Sequence, residues 1–527
     1  MSAVLIADIF FGLLGIYLVK SFLYSKKTHG PLPPGPKPKP FIGNLTDLPP
    51  SGQQEWVHWG KHKDLYGPIS SLTTFGQTLI LLNDQRVAFE LLEKRSLSYS
   101  SRPRMVFSGE MIGWENQLAM QPYTNHFRAY RKNIHSVVGT KSAVSQFYQL
   151  QDMEVRRFLL RILNEPSKLL HHIRTEAGAI ILKISHGYTI EHNTRDPLID
   201  LADEALVQFS LSAVPGAWIV DILPFLQYFP AWMPGMAFKR TAVHWRNTLA
   251  ELVEKPHAFV KKQMCLGSHS RSYTSALLGK GNVSPEEEHI IKWSAASLYA
   301  GGADTTVSSL SSFFLVMTMY PEIQRKAQEE IDRVVGSDRI PGFEDRDNLP
   351  YVDAVVKEVL RWHPIGPMGL PHTSTEDDVY EGYFIPKGSL LLANIWAFAH
   401  DAETYHDPMA FRPERFLGVN GRAPETDPRT LVFGFGRRIC PGRELADASI
   451  YLTIAQSLAV FDIKKAVEDG KVVEPTVSFS AGIISHPLPF KTSLVPRSAK
   501  AEALIRSVEE DYPLTESDAK ELLSLDI

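Results

Sequence analysis

The ten residues Phe433-Gly434-Phe435-Gly436-Arg437-Arg438-Ile439-Cys440-Pro441-Gly442 constrain this chain more than any other segment. A glycine-rich turn delivers one cysteine to the mouth of a helical stretch, residues 442–459. A helix start offers unpaired N–H groups and partial positive charge, which lower a thiol's pKa. Cys265 is the one other cysteine, so a disulfide framework and a Cys-rich zinc or iron–sulfur site are excluded. A single thiolate suits the axial position of a haem better than zinc. Taken alone, an isolated cysteine is as readily a small buried hydrophobe, and Phe-Gly-Phe-Gly a plain hairpin turn.

The rest of the chain must house that segment. At 527 residues, 44% hydrophobic and 22% charged, it can bury a large core and is not a disordered chain. A net charge of −4 gives no reason to expect nucleic acid as a partner. Residues 3–24 are apolar except for Asp8 and Lys20, and as a helix would span about 33 Å, enough for a hydrocarbon core. Lys20, Lys26, Lys27, Lys37 and Lys39 crowd the far flank, which predicts a body facing the cytoplasm. A cleaved signal peptide would carry its positive charge before the apolar run and a small-residue cleavage site after it, and neither is present. Residues 1–24 are therefore expected as a transmembrane anchor and 25–45 as a hinge, whose prolines between Gly30 and Pro40 favour stiff extended chain.

Beyond the hinge the pattern is mainly α with a small β subdomain, expected as one catalytic domain over 46–497. Residues 70–83 are β-rich with Gly76 central and read as a β-hairpin, and residues 125–335 carry apolar positions at three- and four-residue spacing. Ser284-Pro285-Glu286-Glu287 opens a long helix over 285–320. A second helix covers 349–363 before Pro364, and strand patterns return over 378–398. Residues 498–527 hold eight acids against three bases and read as an acidic surface tail.

Two constellations sit on those helices. Ala300-Gly301-Gly302-Ala303-Asp304-Thr305-Thr306 puts adjacent glycines inside a helix at about 1 kcal/mol each relative to alanine. Such a cost is consistent with a close helix–helix contact, or with a notch that admits a flat cofactor while Asp304 and Thr305 handle protons. Glu358 and Arg361 lie one turn apart before Pro364, as do Glu154/Arg157, Glu322/Arg325 and Glu330/Arg333, each readable as a surface helix pair.

The spacing Phe433…Gly436…Arg438…Cys440…Gly442 resembles the haem-binding loop of the cytochrome P450 superfamily. The resemblance implies that the Cys440 thiolate is the proximal iron ligand of a haem b. It further implies that Phe433 and Gly436 shape the loop against the porphyrin and that Arg438 neutralises a propionate. The 300–306 segment is similar to that family's oxygen-activation motif, which makes Thr305 the hydrogen-bond partner of bound dioxygen, Asp304 part of the proton path and Gly302 part of the notch. Pro413-Glu414-Arg415-Phe416 supplies the arginine that joins Glu358 and Arg361 in a structural ion network. Phe127-Arg128-Ala129-Tyr130-Arg131-Lys132 resembles the propionate-binding helix with Phe127 in place of the usual tryptophan, which leaves Arg128 as the expected propionate partner. His372 stands where the family often places another basic contact.

The fold implied is the cytochrome P450 fold, preceded by an N-terminal transmembrane helix in the endoplasmic reticulum membrane. The implied activity is insertion of one oxygen atom of dioxygen into an apolar small molecule. No flavin or nicotinamide motif is present, so electrons are expected from an NADPH-dependent reductase, docking near Arg437, Arg131 and Lys132. A peroxide isomerase or dehydratase of the same family would tend to lack the acid–alcohol pair that Asp304 and Thr305 supply. The substrate pocket is expected from the 99–121 loop, Leu298, Ala303, residues 365–370 and residues 482–484. The texture of residues 371–416 resembles fungal members of secondary-metabolite pathways.

Overall fold

Ser284 starts the longest helix of the chain by reciprocal bonding. Its hydroxyl accepts from the Glu287 N–H at 3.3 Å, and the Glu287 carboxylate accepts from the Ser284 N–H at 2.9 Å, with Pro285 at the first helical position. The computed structural model describes residues 30–525 except Ser51, Asn193, Pro215, Val419, Asn420 and Arg422, together with Gly12 and Gly15. Among the described residues the helices of twelve residues or more are α1 (Glu55–Tyr66), α2 (Asn125–Val138), α3 (Tyr148–Asn164), α4 (Leu169–His186), α5 (Pro197–Ser212), α6 (Phe238–Leu266), α7 (Pro285–Met319), α8 (Pro321–Val334), α9 (Pro350–Trp362) and α10 (Arg443–Val460). At 1.5 Å per residue α7 runs about 50 Å and can reach both halves of the core. One core gathers side chains from α2 and α4–α7; the other joins α3, α4, α7–α9 and α10.

The β part is small and lies against α1. Strands β1 (Ile69–Thr74) and β2 (Gln77–Leu82) pair antiparallel from Ile69↔Leu82 to Thr74↔Gln77, turning at Phe75-Gly76 with both φ values positive. That left-handed pair matches the right-handed twist of the strands it joins. After β3 (His372–Thr373), β4 (Asp378–Tyr380) and β5 (Tyr383–Ile385) comes β6 (Leu390–Ala393), which pairs parallel with β2 and antiparallel with β3. The strand pattern expected to 398 stops at Ala393, because the Asn394 side chain accepts from the Ala397 N–H at 3.0 Å and caps a short helix, Ile395–Ala399.

One expectation falls outside the described residues and two are refined. Residues 1–24, the expected anchor, lie outside the described residues apart from two glycines, and no described helix is long and apolar enough to cross a membrane. The described part of the hinge is docked rather than a free spacer. The Ser71 N–H donates to Pro34 O at 2.8 Å, the Ser71 hydroxyl to Pro33 O at 2.6 Å, and a Cβ on Gly35 would lie 1.9 Å from Ser71 O. The acidic C-terminal segment folds into the short helices Ala499–Arg506, Val508–Asp511 and Ala519–Leu523, burying Ala501, Ile505, Val508 and Leu522. These buried positions form an apolar stripe that residue counting does not reveal.

Candidate active site

The Cys440 loop is folded back on itself. The Cys440 N–H donates to Phe433 O at 2.8 Å, and α10 begins at Arg443 with no side-chain cap at Gly442. Cys440 lines a cavity of about 410 Å³ together with Phe433, Gly434, Phe435, Arg438 and the first turns of α10. Burial pushes the Cys440 thiol up, although the Gly442 N–H and the charges of Arg131 and Arg443 pull it down. The expected lowering by the helix start is therefore outweighed in the protein alone, and a positive partner at the sulfur is needed to favour thiolate. Gly436, expected to admit the porphyrin, meets a different neighbour. With φ of 53°, its absent Cβ would lie 2.4 Å from Leu92 O, and Gly434 and Gly442 are the loop glycines that line the cavity.

One end of the cavity collects cations. Arg438 donates to Ser100 O at 2.6 Å and Gln121 O at 2.5 Å, with its guanidinium 3.9 Å above the Phe127 ring. Arg102 donates to Ala119 O, Leu370 O and Pro371 O at 2.8–2.9 Å, and Arg131 to Ile439 O. His372 donates from Nδ1 to Tyr99 O at 2.7 Å. Among the described residues none of the three arginines has a carboxylate at ion-pair distance. Burial, then the charge of Arg102, pulls Arg438 down to about 8; burial pulls Arg102 down to about 9 and holds His372 well below the usual histidine range. A buried group of like charges without acids is favourable only with an anion between them. Arg128, expected here, is not brought to the cavity: it is exposed, its guanidinium 5.0 Å from the Tyr123 ring. Arg131, almost one turn further along α2, takes the inward position.

On α7 the two glycines divide the roles weighed for them. A Cβ on Gly302 would lie 2.6 Å from Ile181 Cγ1 of α4, whereas one on Gly301 would meet nothing within 4 Å. Both glycines line the cavity; Gly302 also serves the helix contact, and Gly301 leaves open space. The Thr305 hydroxyl lines the cavity and donates back to Gly301 O at 2.6 Å. Asp304 is turned off the cavity wall, with both carboxyl oxygens 3.1 Å from His486 Nε2. Ala303, expected in the pocket, faces the same way as Asp304. The apolar wall comes from Trp114, Leu118, Leu206, Phe209, Leu298, Ile365, Leu370, Ile483 and Ile484 among others.

A thiol, a threonine on a notched helix and an anion-binding end in one apolar cavity carry a distinctive chemistry, and comparison with known proteins agrees with it. The family model described as Cytochrome P450 matches residues 33–494. The chain belongs to the cytochrome P450 family. Its relatives include the cytochrome P450 monooxygenase claR of Ampulloclitocybe clavipes, 49% identical over 99% of this chain and 96% of that protein. The cytochrome P450 monooxygenase CLM2 of Gibberella zeae is 47% identical over 96% of this chain and 97% of its own. The O-methylsterigmatocystin oxidoreductase of Aspergillus flavus is 44% identical over 97% and 96%. This P450 is accordingly a haem-dependent monooxygenase with fungal secondary-metabolite relatives.

The residues present fit a haem. The unpaired cations Arg102, Arg131 and Arg438 suit its two propionates, most of the remaining wall is apolar, and a haem iron is the positive partner that the buried Cys440 sulfur lacks. Behind the site, Glu358 accepts from Arg361 Nε at 2.7 Å and Nη2 at 2.9 Å, from Arg415 Nε at 3.1 Å and from the Arg412 N–H at 2.7 Å. Glu358 and Arg361 are wholly buried, and the guanidiniums also bond carbonyls of residues 399–410. Glu154/Arg157, read as a surface pair, is buried too, at 2.7 Å.

Sequence reading missed Arg102, Phe209, Glu176 and His486. Arg102 follows no recognisable pattern in Ser101-Arg102-Pro103, and Phe209 is one apolar position among many on α5. Glu176 of α4 lines the cavity almost fully buried, accepts from the Thr453 hydroxyl at 2.6 Å and is pushed up to about 8 by burial.

Proposed function

We propose that this P450 is a membrane-anchored monooxygenase of the endoplasmic reticulum, facing the cytoplasm, which oxidises an apolar secondary metabolite with electrons from an NADPH-dependent reductase. Each turnover balances as R–H plus dioxygen, two electrons and two protons giving R–OH and water, the electrons arriving from NADPH through the reductase flavins. When bound, the haem supplies dioxygen activation and Cys440 its thiolate ligand. Arg438, Arg131 and Arg102 hold the propionate end, with His372 beside them, and Phe433 borders the loop. Trp114, Phe209, Leu298, Ile483 and Ile484 exclude water and orient the substrate. The Thr305 hydroxyl is placed to hand protons into the cavity, with Asp304 behind it on the same helix.

The observation that carries this reading is the cavity that unites Cys440, Thr305 and the acid-free arginines under an apolar wall. Arg128, Lys132, Arg437 and Arg443 are exposed around the Cys440 face and support reductase docking there, while Arg131 turns inward. The anchor rests on the apolar run of residues 3–24. It is supported by exposed Leu211, Ile219, Phe225, Tyr228 and Trp232, in a segment that touches Leu48 near the hinge at Gly216. The reduced protein is expected to give the carbon monoxide band of a thiolate-ligated haem, and Cys440→Ala to lose it; no such band in the unaltered protein overturns the reading. Membranes containing chain and reductase, incubated with a secondary-metabolite extract, are expected to add one oxygen atom to an apolar component only with NADPH.

A further inference from the structure

We infer that His486 is a positioning residue for proton delivery, fixing the Asp304 carboxyl from a loop that also forms the substrate wall. This rests on the proposed role of Asp304 and names the group through which that role is set.

Asp304 does not point into the cavity. Its two oxygens straddle the His486 imidazole at 3.1 Å each, and among the described residues no other side chain hydrogen-bonds it. Both side chains are mostly covered, 13% exposed for Asp304 and 25% for His486. On its other side Asp304 borders a void of about 10 Å³, about the room of one water. The void is also lined by the partly exposed ion pair Arg174–Asp203, at 2.9 Å, and by Leu206, which lines the main cavity as well. The carboxyl therefore stands between solvent and cavity, and the direction it faces is set by His486.

His486 itself is held by its loop. Its N–H donates to Ser480 Oγ at 3.0 Å and its carbonyl accepts from the Ser480 N–H at 2.8 Å. One residue earlier, Ser485 O accepts from the Ser308 hydroxyl at 2.6 Å, and the Ser485 N–H donates to Ile365 O at 2.8 Å. Ser308 is one turn beyond Asp304 on α7, so the loop is fastened to that helix at two adjacent rungs, Asp304–His486 and Ser308–Ser485. The residues just before, Ile483 and Ile484, line the cavity. Substrate pressing on these isoleucines moves the same short segment that aims the acid, so occupancy and proton supply are coupled through one loop.

The test uses full-length holoprotein with reductase, NADPH and a substrate that it turns over, comparing His486→Phe, His486→Gln, Asp304→Asn and the double variant His486→Phe/Asp304→Asn. Product formed per NADPH consumed is expected to fall about tenfold in His486→Phe with little change in KM, and to recover in part in His486→Gln, whose amide keeps a donor toward Asp304. The double variant is expected to be no worse than Asp304→Asn, as two residues acting as one unit require. Hydrogen exchange of amides 478–488 in the resting protein is expected to quicken in both Asp304→Asn and His486→Phe. Coupling that falls in Asp304→Asn but stays normal in His486→Phe overturns the inference and leaves the role of Asp304 standing. Normal coupling in Asp304→Asn overturns that role itself. Should His486→Phe fail to load haem, His486→Asn, smaller and unable to reach Asp304, is expected to show the same loss, and normal coupling there overturns the inference.

Discussion

Gly302 of α7 touches Ile181 of α4 so closely that a methyl group on the glycine would lie 2.6 Å from the isoleucine Cγ1. This is the tightest approach Gly302 makes, and it fixes how far α7 stands from α4 beside the cavity. Gly302→Ala is expected to destabilise the protein by about 1–3 kcal/mol through overpacking, reduced by the roughly 1 kcal/mol that alanine gains in a helix. Gly301→Ala, with open space at its Cβ, should gain that helix term and alter substrate binding instead. Urea unfolding and substrate-binding spectra of the two variants separate these outcomes.

Removal of the Arg131 guanidinium leaves the anion end of the cavity one cation short. Arg131→Ala and Arg438→Ala are each expected to speed haem loss about tenfold or more, as loss of a charge-assisted hydrogen bond implies. Arg128→Ala should leave haem retention within about twofold, because that side chain stays outside. Transfer of haem to apomyoglobin measures all three rates.

The Glu358 carboxylate is shared by Arg361, Arg415 and a backbone N–H with no exposure to water. Glu358→Ala strands the buried Arg361 guanidinium and leaves Arg415 with Glu425 as its one carboxylate partner, and is expected to cost about 3–5 kcal/mol. Glu358→Gln keeps the shape and part of the hydrogen bonding, and should cost less. The midpoint of denaturant unfolding, with the yield of haem-loaded protein, checks both.

Glu176 contributes a pH dependence of stability. Its folded-state pKa, about 8, lies above the ordinary 4.5, because burial disfavours the charged form. Between those values the unfolded chain releases a proton that the folded one keeps, so this group makes the protein progressively less stable as pH rises from about 4.5 to about 8. Glu176→Gln, unable to ionise, should raise the melting midpoint more at pH 8 than at pH 5. Equal shifts at the two pH values would show the carboxyl to be ionised in the folded protein.

Local chemistry written in the chain was sufficient for α7, where Ser284, Pro285 and Glu287 specify a helix start, and for the β1–β2 turn at Phe75-Gly76. Cys440, Thr305 and the Glu358–Arg361 pair were singled out by resemblance to a family's motifs, the pair only through the company of Arg415 further along the chain. Patterns of that kind survive in one dimension. The inward cation of α2 did not: Arg128 and Arg131 sit on the same helix three residues apart, and only the packing of α2 against the Cys440 loop turns Arg131 inward and leaves Arg128 in water. The same holds for Gly436, which accommodates Leu92 rather than a cofactor, and for the 498–523 helices, whose few apolar side chains need a surface to cover.

The amino-acid order thus determined the family, the thiol and the helix that faces it, since these depend on residue type and short-range spacing. Which charges share the cavity, and which histidine aims Asp304, was decided when segments up to 338 residues apart came together at hydrogen-bonding distance. Burial then removes water as the competing partner, so the worth of each polar group depends on neighbours that no local pattern specifies.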